Sequence, residues 1–140
     1  MDMDTHSDSE IRDFYNLKNI AVVGVSKNET KPSHFVPKFL IEHGYNIVPI
    51  NPTILEVFGK KTYPKFSSIQ EPIDVLNIFR KSEDIYEIIK DLQTKTNSLK
   101  LIWMQLGIYN KDAEIWAKEN GIEVVYNRCM MEEYKRLFDK

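Results

Sequence analysis

Four groups able to hold an anion stand within eight residues of one another: Gly24, Ser26, Lys27 and Lys31, in "VVGVSKNETKPSHF" (residues 22–35). The glycine lets a ligand approach the backbone. The hydroxyl and the two ammonium groups are donors, and the first N–H groups of a following helix would face the same point. The loop has one glycine where the dinucleotide fingerprint G-x-G-x-x-G has three, so the pattern suits a plain strand-to-helix turn with solvated lysines equally well. Arg80, just after "DVLNIF", offers a planar fork to a phosphate, or is a surface arginine at a strand end. Asn51 and Pro52 close "YNIVPI", at the place where an NAD site carries an acid for the ribose diol. Neither is an anion, which disfavours NAD. The pair suits the edge of an adenine, or simply a turn.

The other reactive side chains form no catalytic set. His6, His34 and His43 have no metal-ligand spacing with one another or with Cys129, and neither G-x-S-x-G nor a P-loop occurs. Glu132 and Glu133 lie beside Lys135 and Arg136 on what reads as a solvated helix. Trp103 and Trp116 read as packing residues.

The elements that must position these groups are marked by five short apolar runs, at 19–24, 45–50, 74–79, 100–105 and 123–127. They are apolar on both parities, as parallel strands covered on both faces are. Helical stripes separate them. Phe35, Phe39 and Leu40 form the first, with Ser33 as its cap and Pro37 near its first turn. Ile85, Ile88, Ile89 and Leu92 form the second, capped by Ser82. Ala113, Trp116 and Ala117 follow Asn110, and Met130, Tyr134, Leu137 and Phe138 form the last. A leading helix spans 8–16. Residues 51–72 hold three prolines and a glycine, which predicts a loop with one helical turn near Phe66–Ile69. The expected fold is an α/β doubly wound, five-stranded parallel sheet in the order 3-2-1-4-5. Its topological switch would lie between strands one and four, with the ligand at the carboxyl edge. Gly24–Lys31, Asn51–Pro52, Phe79–Arg80, Gln105–Gly107 and Asn127–Cys129 all reach that edge.

The 140 residues fit one domain spanning the chain, with residues 1–8 read as flexible. Apolar residues make up 42% and charged residues 29%, ordinary values for a globular chain. A net charge of −2 gives no basic field for nucleic acid or anionic lipid. The single cysteine rules out an intrachain disulfide, and no apolar run nears the roughly 18 residues of a membrane span. The expectation is a cytoplasmic protein.

"VVGVSKNETKPSHFVPKFLIEHGYNIVPINP", "GKKTYPKFSSIQEPIDVLNIFR", "LIWMQLGI" and "VVYNRCMMEEYKRL" together resemble the small single-domain CoA-binding proteins, relatives of the nucleotide-binding domain of the succinyl-CoA synthetase α-subunit. The resemblance runs in register over residues 19–138. It implies a Rossmann-like fold with coenzyme A or an acyl-CoA as ligand. It places Gly24, Val25, Ser26, Lys27, Lys31 and Pro32 along the diphosphate and 3′-phosphate, Asn51 and Pro52 at the adenosine, and Phe79 and Arg80 beside the nucleotide. Gln105 and Gly107 of "QLG", with Arg128 and Cys129 of "RC", fall near the pantetheine end. The synthetase relatives carry a second glycine in the first loop; Ser26 and Lys27 stand there instead. Their phosphorylated histidine lies in a second domain, so ligase activity is not inherited. Three readings stay open: a non-catalytic CoA binder, a thiol enzyme acting on acyl-CoA or CoA disulfide through Cys129, and a nucleotide-sensing module.

Overall fold

All five apolar runs are strands. The computed structural model describes residues 1–94 and 98–139. The elements in chain order are α1 (Asp8–Phe14), β1 (Asn19–Val23), α2 (Pro32–Glu42), β2 (Asn46–Ile50), β3 (Glu56–Val57), β4 (Lys60–Lys61), β5 (Val75–Ile78), α3 (Ile85–Thr94), β6 (Leu101–Met104), α4 (Lys111–Glu119), β7 (Glu123–Val125) and α5 (Met130–Phe138). Every residue of β5 and β6 is buried. Their side chains alternate between two cores, as the pleat dictates. Ile20, Val22, Val75, Leu101 and Trp103 pack with α1, α2 and α5; Ala21, Leu76, Ile78, Ile102 and Met104 pack with α3 and α4. The result is the expected Rossmann-like sheet with helices on both faces. No helix among the described residues is long and apolar enough to cross a membrane.

The sheet is parallel throughout and runs β2-β1-β5-β6-β7. Numbered as five long strands this is 2-1-3-4-5, not 3-2-1-4-5: the third lies beside the first instead of outside the second. Pro49 supplies a physical reason. Its carbonyl points to the outer side of β2, where it accepts the Tyr63 N–H at 2.9 Å. Its nitrogen points the same way and carries no hydrogen. A ladder on that side would have a gap, so β2 belongs at an edge. A short return closes the edge, with Asn51 N–H donating to the Tyr63 carbonyl at 2.9 Å. The topological switch therefore lies between β1 and β5, and the ligand crevice of such a sheet opens there.

The connections refine several expectations. Residues 51–74 contain the small antiparallel ribbon β3–β4, turning through Phe58 and Gly59, and then the expected helical turn at Phe66–Ser68. Helix α2 starts at Pro32 with Lys31 as its N-cap, so Ser33 is already inside it. Its buried stripe is His34, Val36, Pro37 and Leu40, while Phe35 faces out. Pro37 has no N–H for the Ser33 carbonyl four residues back. That carbonyl instead accepts the Ser26 N–H at 3.2 Å, so the bond missing from the helix ties down the loop after β1. Ser82 also has another role than capping. Its hydroxyl accepts the Tyr109 N–H at 3.2 Å and its carbonyl accepts from Asn110 Nδ2 at 3.0 Å, which joins the segments after β5 and β6.

The acidic start is tied to the β7 end at several points: Asn127 Nδ2 donates to the Met1 carbonyl at 3.0 Å, and Arg128 Nη2 donates to the His6 carbonyl at 3.3 Å. Asp4 is buried beside β7, where its carboxylate accepts the Tyr126 N–H at 3.0 Å and meets Arg128.

Candidate functional site

At the carboxyl edge the ends of β1 and β5 nearly touch. Gly24 adopts φ +87°, and a Cβ built on it would lie 2.8 Å from the Phe79 carbonyl oxygen and 3.1 Å from Arg80 Cδ. Glycine is thus required twice over, by conformation and by space. Its N–H donates to the Ile50 carbonyl at 3.1 Å, which fixes the β2 end to the same point.

The loop beyond Gly24 is shaped by its own polar groups. Ser26 Oγ accepts the Asn28 N–H at 3.0 Å, and the Ser26 carbonyl accepts from His34 Nδ1 at 2.7 Å. The latter bond fixes the proton on Nδ1. His34 also packs on Phe58, with ring centroids 4.8 Å apart, so the β3–β4 ribbon braces the loop. Val25 buries its side chain and gives its carbonyl to Asn51 Nδ2 at 2.8 Å. The Asn51 oxygen accepts from the Thr53 N–H at 2.8 Å and hydroxyl at 2.7 Å. The Asn51 amide is therefore a brace between two loops. Lys27 and Lys31 are exposed, and neither pairs with a carboxylate among the described residues. No side chain caps α2, and its first turn contains no acid.

Two clefts of about 340 Å³ each open on either side of this edge. The first is walled by Gly24, Ile50, Asn51, Pro52, Phe66 and Arg80, with Glu83, Asp84, Glu87 and Asp91 along its α3 side. Asp91 is occupied by the Ser67 hydroxyl and N–H. Arg80 is half-exposed and pairs with Asp84 at 3.2 Å. The second cleft is walled by Lys31, Pro32, Phe79, Leu106, Cys129 and Met131, among others. Phe79 and Arg80, adjacent in the chain, thus serve opposite clefts.

Gln105 reaches the second cleft and holds the interior beneath it. Its Nε2 donates to Asn77 Oδ1 at 2.6 Å, and its Oε1 accepts the Met130 N–H at the start of α5 at 3.3 Å. Asn77 is a polar residue inside a wholly buried strand, the one sequence signal that could have marked this network. Gly107 takes φ +81° and donates its N–H to Asn127 Oδ1 at 2.7 Å. Nine of the residues singled out from sequence thus wall these clefts, Ser26 and Gly107 shape the loops between them, and Lys27 stands exposed outside both. Val25 contributes backbone only, and Arg128 turns away: its guanidinium is buried against Asp4.

Cys129 is the N-cap of α5 and half-buried. Burial pushes its thiol up from the ordinary value, against the lowering effect of the Glu132 and Met131 N–H groups; Glu132 and Glu133 add to the rise. Arg128, whose charge would favour a thiolate, is taken by Asp4. Cys129 should therefore be protonated and slow at neutral pH. Iodoacetamide is expected to alkylate it more slowly at pH 7 than a free thiol, with the rate climbing through and beyond the ordinary thiol pKa of about 8.5. A rate that levels off below pH 8 would mean the helix terminus outweighs burial.

Residues 18–135 match the CoA binding domain family. The uncharacterized protein YneT of Bacillus subtilis (strain 168) is 36% identical over 130 residues, covering 91% of this chain and 94% of that one. A solved structure from Thermus thermophilus superposes with a TM-score of 0.89 at 36% identity, covering 95% of this chain and 100% of that one. The ADP-forming acetate–CoA ligase of Methanocaldococcus jannaschii is 28% identical over 130 residues, 88% of this chain but 18% of the ligase. Both the extent of the family match and the near end-to-end likeness to YneT lead to one conclusion: the chain belongs to the CoA binding domain family.

Proposed function

We propose that the protein binds coenzyme A or an acyl-CoA without turning it over. The observation that carries this reading is the pair of clefts meeting at Gly24, Phe79 and Arg80. One elongated ligand would cross that edge. Its adenosine lies in the first cleft against Pro52, its phosphates lie over the first loop within reach of Lys27, Lys31 and Arg80, and its pantetheine lies in the second cleft. The unpaired lysines and the uncapped start of α2 supply the positive field a diphosphate requires. The end of β2 offers no carboxylate to a ribose diol, since the Asn51 amide is spent within the protein.

Calorimetry with CoA, dephospho-CoA and NAD tests this. CoA is expected to bind most tightly, and loss of the 3′-phosphate to cost about 1.5–3 kcal/mol, the scale of a charged hydrogen bond. NAD bound as tightly as CoA would overturn the reading. A thiol reaction at Cys129 is the second possibility, because Cys129 lines the second cleft. It would have to proceed without a histidine among the described residues of that cleft, and with a thiol raised by burial. Turnover of an added acyl-CoA, followed by mass, is the result that would favour it.

A further inference from the structure

Arg128 lies next to Cys129 in sequence but faces the opposite way. Its Nε donates to Asp4 Oδ2 at 3.0 Å and its Nη2 to Asp4 Oδ1 at 2.9 Å, a fork on one carboxylate. Both side chains are about 5% exposed. Asp4 also accepts the N–H groups of Tyr126 at 3.0 Å and His6 at 3.1 Å. Burial alone would raise this carboxyl; the bonds from Arg128, Tyr126 and His6 together hold it below the ordinary range. Breaking a buried pair by removing one partner leaves an uncompensated charge, so this contact is held firmly.

The turn it holds is the wall of the second cleft. Asn127, at φ +55°, fastens the turn between Leu106 and Ile108 through the Gly107 N–H. The Arg128 carbonyl accepts from Trp103 Nε1 at 2.8 Å. Cys129 and Met131 follow directly and line the cleft with Leu106 and Ile108. The first cleft, with Gly24, Asn51 and Arg80, shares no residue with this network.

We propose that Asp4 and Arg128 are positioning residues, a clasp that sets the pantetheine end of the site and leaves the nucleotide end alone. This rests on the CoA-binding reading above. Arg128 acts on the ligand only through the turn it carries, and Asp4 reaches the site from the opposite end of the chain.

Two ligands separate the ends: CoA, and adenosine 3′-phosphate 5′-diphosphate, which lacks only the pantetheine arm. Each is titrated into the wild type, Asp4→Asn and Arg128→Lys; the lysine keeps the charge and loses the fork. In both variants the preference for CoA over the shorter ligand is expected to fall at least fivefold, while the shorter ligand binds within twofold of wild type. Iodoacetamide should alkylate Cys129 at least fivefold faster in both. Equal weakening of the two ligands, or no change in either, overturns the clasp. If Asp4→Asn fails to fold, Arg128→Lys decides by the same ratios. A wild type that takes neither ligand removes the binding reading and the clasp with it. A wild type that takes both, with the preference intact in the variants, removes the clasp alone.

Discussion

Gly24→Ala is expected to lower CoA affinity on the order of 100-fold, the scale at which a displacement of about 1 Å disables a positioned site. The new methyl group would lie 2.8 Å from the Phe79 carbonyl oxygen. That atom belongs to the backbone at the end of β5, so the two strand ends must part, and with them the edge on which both clefts meet. The φ of +87° adds about 1–2 kcal/mol of conformational strain for a residue with a Cβ. The melting temperature should fall by about 3–8 °C for each 1–2 kcal/mol lost. Gly121→Ala is the matched control. Its φ is +71°, and nothing lies within 4 Å of a Cβ there. It should show the conformational cost and bind CoA as wild type does. Calorimetry and thermal melts on the two variants make the comparison. Wild-type affinity in Gly24→Ala would mean the strand ends can part without consequence for the ligand.

Arg80→Ala is expected to cost about 1.5–3 kcal/mol of CoA binding, the worth of a hydrogen bond to a charged group. Stability should barely move, because the partner lost is Asp84 in a half-exposed pair, and such pairs contribute about 0–1 kcal/mol. The same pair makes a companion prediction. Asp84 engages Arg80 Nη2, one arm of the fork that a phosphate would need, so Asp84→Asn should bind CoA as tightly as wild type or more so. Unchanged affinity in Arg80→Ala would return that side chain to an ordinary place on the surface.

The strands were legible because burial on both faces writes an unbroken apolar run, and all five runs became strands. The carboxyl edge followed from the alternation of strand and helix, which brought Gly24, Asn51, Phe79 and Gln105 together. Strand order was not carried by that alternation. It was carried by Pro49, a single residue whose missing N–H sends β2 to the margin. Arg128 was misleading for a different reason. Position in the chain put it beside Cys129, but its direction is set by Asp4, 124 residues away. The acidic start resembled a loose tail because Asp4, the residue that meets Arg128, looks like its acidic neighbours. The short ribbon β3–β4 holds two residues per strand, too few to show any period.

The two margins of the sheet bear on how the protein behaves in a crowd. An open strand edge is a template on which another chain can add a strand. On the β2 side, the proline withholds a donor and Tyr63 takes the carbonyl beside it. At the other margin, the Tyr126 N–H just past β7 is taken by a carboxylate from the start of the same chain. At each margin a backbone position that an added strand would need is thus already taken or missing. Removing the Asp4 carboxylate would free the Tyr126 N–H and leave one more open donor at the β7 margin.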